Sequence, residues 1–185
     1  VTEEDLGKGI LKPKDYTDID GLVTNCPGAC LVTFFADCVP LFFADPVKKV
    51  IGLSHSGWRG TAAAIGHETI EMMRHQFGCR PEDIIAAVGP SICGSCYEVS
   101  EDVAQVFRQQ FRPEETDTFL TEKGGGKYLL DLWQANACIL LNSGILPEHL
   151  AVTDLCTCCN SDLLWSHRKT GGVRGSLAAF LMIRE

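Results

Sequence analysis

Positive charge is in short supply: 16 lysines and arginines stand against 24 aspartates and glutamates, a net −8 at neutral pH. A chain so charged lacks the broad positive field that drives non-specific nucleic-acid binding, so nucleic acid is not an expected partner. Long apolar runs are also missing. None approaches the roughly 18 to 20 residues that cross a bilayer, and Val1 to Asp20 is charged, without the apolar stretch of a signal peptide. The expectation is a cytoplasmic protein that does not engage a membrane.

Several chemical signatures are absent as well. Gly126-Lys127 is followed by Tyr128 and the position five before Gly126 is Thr121, so no phosphate-cradling GxxxxGK[ST] loop is encoded. None of the five histidines has Glu two residues on, and Ser91-Ile92 separates Pro90 from Cys93, which excludes the zinc-deaminase signature. HExxH, GxSxG and GxGxxG do not occur, and there is no internal repeat or low-complexity tract.

What remains is 185 residues, 45% apolar and 22% charged, enough chain for one domain with a well-buried core. Ten cysteines in a chain of this length with no secretory signal read as reduced thiols, some of them candidate metal ligands, rather than a disulfide framework. The chain begins at Val1 and shows no clear apolar periodicity before Gly21. It is therefore expected to be the later part of a longer polypeptide.

ACLVTFF, from Ala29 to Phe35, is nearly continuously apolar and predicts a buried strand reaching Cys38; Leu41 to Ala44 and Lys49 to Leu53 predict two more, joined by an Asp45-Pro46 turn. Cys38 and His55 then both stand at strand ends. Thr61 to Phe77 has helical spacing and stops at Gly78. Ile84 to Val88 predicts a strand, Ser100 caps a helix with Val103, Phe107 and Phe111 on one face, and Arg112 to Lys127 reads as an exposed connection. Asp131 caps a helix running to about Asn142, and residues 150–155, 163–168 and 177–183 read as further strands. Short strands mixed with three helices predict an α+β or mixed α/β domain.

Cys93-Gly-Ser-Cys96 and Cys156-Thr-Cys-Cys159 together offer a four-sulfur zinc site. Cys96 and Cys156 are 60 positions apart, beyond the usual zinc-ribbon interval, so spacing favours ordinary small buried residues. Redox use of the 93/96 pair is disfavoured, because the helix expected at Ser100 starts too late to depress a thiol pKa. His55-Ser-Gly-Trp-Arg-Gly60 is different in kind. A histidine at a strand end, glycines permitting close approach and an Arg beside free helix-start amides make an anion-binding corner, which competes with a plain tight turn holding a core Trp and a surface Arg. Cys38, 17 positions earlier, adds a soft ligand or nucleophile.

Five segments, TNCPGACLVTFFADCVPLFFADP (24–46), VIGLSHSGWRGTAAAI (50–65), VGPSICGSCYEVSEDV (88–103), LDLWQANACILLNSGI (130–145) and DLCTCCNSDLLWSHR (154–168), resemble the YfiH-type proteins in order. That family was first called multicopper polyphenol oxidoreductase, or laccase-domain, and is understood as purine nucleoside phosphorylase with adenosine deaminase and methylthioadenosine phosphorylase activity. The resemblance implies mixed β-sheets packed as a sandwich with flanking helices, like the catalytic domain of cytotoxic necrotizing factor.

It also implies a zinc or copper site of two histidines and one cysteine, with Cys38 as the thiolate and His55 as the second histidine. The family's first histidine lies upstream of the segment that Asp20 to Thr24 resembles, and no histidine precedes His55 here. Arg59 and Arg168 become candidate phosphate clamps and Tyr97 a candidate ligand contact, although His167 replaces an aromatic residue of the family pattern. Purine nucleosides and phosphate are the implied partners. Three alternatives stand beside this reading: a copper-dependent polyphenol oxidase, which five histidines without any His-x-His make less apt, a noncatalytic metal-binding module, and a cysteine hydrolase using Cys38 and His55.

Overall fold

The computed structural model describes residues 1–184. Its strands are β1 (Gly21–Thr24), β2 (Cys30–Phe35), β3 (Val39–Asp45), β4 (Val50–Ser56), β5 (Ile85–Val88), β6 (Glu98–Ser100), β7 (Leu120–Gly124), β8 (Lys127–Leu130), β9 (Leu150–Val152) and β10 (Leu177–Met182). The α-helices are α1 (Trp58–Ala62), α2 (Ile65–Phe77), α3 (Glu101–Gln110), α4 (Pro113–Phe119), α5 (Leu132–Asn142) and α6 (His167–Thr170). None of them is long and apolar enough to cross a membrane.

A five-stranded sheet in the order β1-β4-β3-β5-β9 forms the centre, with only the β5/β9 pair parallel. The continuous apolar run of β4 follows from its position, because a strand covered on both faces has no solvent side on which to alternate. On one face Ile51 and Leu53 meet Leu31, Phe35 and Ala179 of the antiparallel β2/β10 pair. The other face carries the larger core, in which Leu41, Phe43, Ile70, Met73, Leu132 and Leu140 join. α2 lies close to the sheet because position 52 is glycine: a Cβ there would stand 3.1 Å from Thr69 Cγ2 and 3.3 Å from Met73 Sδ. A separate three-stranded sheet, β6-β8-β7, packs beside the helices. The α+β class and the layered packing of mixed sheets with flanking helices agree with expectation.

The Asp45-Pro46 turn forms as expected, the Asp45 carboxylate accepting from the amides of Val47 and Lys48 at 2.9 and 2.8 Å. Asp131 caps α5 by accepting from Trp133 and Gln134 amides. The helix expected over 61–77 is instead two helices. Ala64 takes a left-handed φ of 54° and breaks the run into α1 and α2. Ser100 precedes α3, but its hydroxyl donates to the Asp102 carboxylate rather than capping a backbone amide.

Two segments differ more. Arg112 to Lys127 is not a mere connection, for it contains α4 and β7; Phe119 is buried with Phe107 and Phe111, at ring-centroid distances of 5.0 to 6.0 Å. The acidic residues there suggested a loop because they occupy the solvent face of a one-sided helix. Residues 163–168 do not form a strand. They turn into α6, whose start is capped by Ser166 Oγ accepting from the Lys169 amide at 3.1 Å.

The α5 cap yields a direct expectation. Asp131→Ala leaves two helix-start amides without their acceptor and should lower unfolding free energy by about 1 kcal/mol, read from the shift in a urea denaturation midpoint at unchanged slope. An unchanged midpoint would show that the cap contributes nothing.

Candidate functional site

Cys38 and His55 meet at one end of the central sheet through strand register. β3 begins at Val39 and β4 ends at Ser56, and pairing Val39 with Ser56 and Pro40 with His55 brings the start of one strand beside the end of the other. Cys38 thus immediately precedes β3 and does not end β2, which stops at Phe35. Gly57 leaves the space between the two side chains open: a Cβ there would lie 3.1 Å from Cys38 Sγ and 3.9 Å from His55 Cε1. The His55 amide donates to Asp20 O at 2.7 Å, and its Nδ1 lies 3.4 Å from the Asp20 carboxylate. That contact orients the ring and leaves Nε2 for a ligand or proton.

The strand end is braced from beneath by a buried polar network. Ser56 Oγ donates to Asn136 Oδ1 at 2.9 Å, Asn136 Nδ2 donates to Thr61 Oγ1 and to Leu132 O, and Thr61 Oγ1 donates to Gly57 O at 3.0 Å. All three side chains are fully buried. Each therefore needs its partners, and the result ties His55's strand to α1 and α5.

Asp37 organises the other side of the site. It has a left-handed φ of 78° and is buried; its carboxylate accepts from Thr157 Oγ1 at 2.7 Å and from the Arg168 amide at 2.6 Å, while its carbonyl accepts from the Ile92 amide at 3.0 Å. One residue thereby fastens three loops to the backbone beside Cys38. Sequence reading missed this role; the only available signal was an acidic residue next to Cys38 inside an apolar stretch.

The candidate ligand-binding residues come together around this point. The Arg168 guanidinium lies over the Tyr97 ring, 5.1 Å from its centroid, and the Arg59 guanidinium lies over Trp58 at 4.3 Å. Both aromatic rings pack against the main core, so each supplies a core face and a platform for a cation. Among the described residues neither Arg59 nor Arg168 has a carboxylate within ion-pair distance. Arg174 is a further cation that sequence reading missed, and its charge reaches Cys38. Three guanidiniums thus collect at one end of a chain whose net charge is negative.

Burial and then the neighbouring Cys38 charge push the Tyr97 hydroxyl up to about 12, against the pull of Arg168 and Arg59. It is a neutral hydrogen-bond donor at physiological pH. Burial, with Asp37 adding to it, also raises the Cys38 thiol above its ordinary value. An activated cysteine nucleophile needs the opposite shift, which weighs against the hydrolase alternative.

As metal ligands Cys38 and His55 are suitable in type, a sulfur and an imidazole, and among the described residues no third His, Cys, Asp or Glu clusters with them. A concavity of about 660 Å³ lined by Val1, Val23, Cys26, Met72 and Phe77 lies elsewhere and holds none of these groups.

The two Cys-x-x-Cys segments correct the spacing argument. Cys93, Cys96, Cys156 and Cys159 have sulfur atoms that all lie within 4.8 Å of one another. Sequence separation was a poor guide because Ser91 and Cys156 form a parallel β-bridge that lays one loop along the other. A helical turn does follow Cys93 directly, at Gly94–Cys96, well before α3.

Two outcomes are expected from this geometry. Asp37→Asn retains shape but keeps only one carbonyl oxygen for two donors, so stability should fall by roughly 1 to 3 kcal/mol in chemical denaturation. In chelator-treated protein at pH 7.5, Cys38 should be alkylated more slowly than in the urea-unfolded chain, and faster as pH rises, when followed by peptide mass spectrometry. Rapid selective labelling of Cys38 at neutral pH would contradict the raised thiol.

The chain spans between 41% and 68% of the length of the curated relatives it matches. It is 39% identical over 189 residues to a protein named purine nucleoside phosphorylase YlmD of Bacillus subtilis (strain 168), covering 100% of this chain and 66% of that one. It is 33% identical over 153 residues to a protein named adenosine deaminase RL5 from an unknown prokaryotic organism, covering 83% and 58%. The crystal structure of the Bacillus licheniformis hypothetical protein YfiH superposes with a TM-score of 0.94 at 34% identity, covering 100% of this chain and 69% of that one. The family described as multi-copper polyphenol oxidoreductase laccase matches residues 2–184, and the chain belongs to that family.

Proposed function

We propose that this chain carries the substrate-binding and chemical groups of a purine nucleoside phosphorylase that also deaminates adenosine. The observation that carries the reading is that Arg168 lies over the Tyr97 ring and is tied through its amide to Asp37, next to Cys38, with Arg59 following His55 at the start of α1, in an otherwise acidic protein. The names of its relatives, phosphorylase and adenosine deaminase, supply the reaction class.

In phosphorolysis a phosphate oxygen attacks C1′ of the ribose, the C1′–N9 bond breaks with its electron pair going to the purine, and a proton reaches the departing base. The guanidiniums neutralise and orient phosphate, since their paired N–H groups match its oxygens. Fixed cations of this kind stabilise charge that develops along the path. Where no metal occupies its Nε2, His55, oriented by Asp20, exchanges the proton. Tyr97, with Arg168 over its ring, offers its hydroxyl as a donor to the ligand. Adenosine, inosine and S-methyl-5′-thioadenosine are the proposed nucleosides.

Deamination replaces the C6 amino group by oxygen from water and releases ammonia. Cys38 and His55, with one further donor, would hold zinc, or alternatively copper, and such an ion would lower the pKa of a water for that attack. The polyphenol oxidase reading has only the family's description in its favour. Among the described residues the groups of three or more metal-type side chains that come together comprise one cluster, made wholly of cysteine, where a multicopper oxidase would need histidine clusters.

The test is chromatography of adenosine, inosine and S-methyl-5′-thioadenosine incubated with the full-length protein, with and without phosphate. Phosphate-dependent release of free base is expected, reduced on the order of 10²-fold or more in His55→Ala and in Arg168→Ala through loss of phosphate saturation. Intact nucleosides from folded, metal-supplied, full-length protein would overturn the reading.

A further inference from the structure

Cys93, Cys96, Cys156 and Cys159 belong to neither the Cys38/His55 pair nor the guanidinium group, and all four are free thiols. Their sulfurs form a compact set with every pair within 4.8 Å and Cys96 to Cys159 at 3.4 Å. Four sulfurs around a tetrahedral zinc at about 2.3 Å stand roughly 3.8 Å apart along each edge, so the set needs only small side-chain adjustments to close on an ion. A disulfide demands something else, one pair at about 2.05 Å with the other two sulfurs left out.

The backbone is arranged for such an ion. Cys93 begins the tight Gly94–Cys96 turn, in which the Cys96 amide donates to Cys93 O at 3.1 Å. On the opposing loop the Asn160 amide donates to Cys156 O at 3.1 Å. Cys156, buried at the middle of the group, receives two amide N–H donors on its sulfur, from Cys93 at 3.3 Å and Cys159 at 3.4 Å. Amide donors on a ligating sulfur offset the charge that accumulates when four thiolates surround one divalent cation, and they fix ligand orientation. The bridge between Ser91 and Cys156, with the Thr157 amide donating to Ser91 O at 3.0 Å, holds the two turns face to face before any ion arrives.

We propose that these four cysteines form a structural zinc site, separate from Cys38 and His55, which staples the loop preceding Tyr97 to the loop after β9. An all-thiolate tetrahedral set selects zinc over the hard cations magnesium, calcium and manganese, and with all four positions filled by protein the ion has no open site for chemistry. Binding releases the thiol protons to solvent. Its structural leverage is direct: Ile92 and Thr157, each next to a ligating cysteine, are two of the three residues that hydrogen-bond to Asp37. The ion thereby fixes the loop that leads to Tyr97 and two of the segments fastened to Asp37 beside Cys38.

The decisive experiment is metal analysis of the full-length protein carrying Cys38→Ala and His55→Ala, purified under reducing conditions with zinc in the medium. About one tightly held zinc per chain is expected, and addition of Cys96→Ser and Cys159→Ser should abolish it. Because the serine variants risk misfolding, the otherwise wild-type protein is also loaded with cobalt(II). An all-sulfur site shows intense thiolate-to-metal charge-transfer absorption, and this should persist unchanged in the Cys38→Ala, His55→Ala protein. Chelation should lower the thermal midpoint and open the two loops to protease before the core. Absence of zinc from the Cys38→Ala, His55→Ala protein, iron in its place, a cobalt spectrum without thiolate bands, or a stoichiometric disulfide among these cysteines would each overturn the proposal.

Discussion

The buried Asp37 carboxylate is the interaction on which the site depends. Three segments remote in sequence, around Ile92, Thr157 and Arg168, reach the sheet end through hydrogen bonds to this one residue. A buried carboxylate is unfavourable unless its oxygens are occupied, so the Thr157 and Arg168 loops are held where they satisfy it, while the Ile92 loop is fastened to the Asp37 carbonyl. Its left-handed backbone is a conformation aspartate adopts more readily than most residues, and that bend lets the chain leave β2 and enter β3 with Cys38 beside Gly57. Tyr97, Arg168 and the four-cysteine group all take their place from this anchor.

The sheet supplies rigidity for the rest. Because β4 is covered on both faces and its far end is held by Ser56, Thr61 and Asn136, His55 emerges from a closely packed layer and not from a loop. The floor of the site is held by the buried Ser56, Thr61 and Asn136 side chains, whereas Arg168 is borne on the α6 segment.

Much of this was legible in the chain. Apolar runs located β2 through β5, Asp131 marked the start of α5, and Cys38 and His55 were each expected at a strand end, although Cys38 precedes β3 and does not end β2. The unexpected elements share a physical cause. α4 buries little beyond Phe119 and Thr116 and shows solvent a row of acids, so local composition read as loop. LLWSHR was apolar enough to suggest a strand, yet no neighbouring edge pairs with it, and Ser166 starts a helix instead. Ala64 breaks a good helical pattern through its left-handed backbone, which local composition does not announce.

The sequence by itself determined the elements, the α+β class and the residue types that the chemistry requires, because periodicity and side-chain chemistry are local properties. It also carried the resemblance that located Cys38, His55, Arg59, Tyr97 and Arg168. Only the tertiary structure decided which residues meet. Asp37 as anchor, Arg174 as a third cation, and the union of Cys93 and Cys96 with Cys156 and Cys159 follow from hydrogen bonds and a β-bridge between loops far apart in the chain, and linear separation carries no information about such contacts once a packed sheet has brought the loops to the same end.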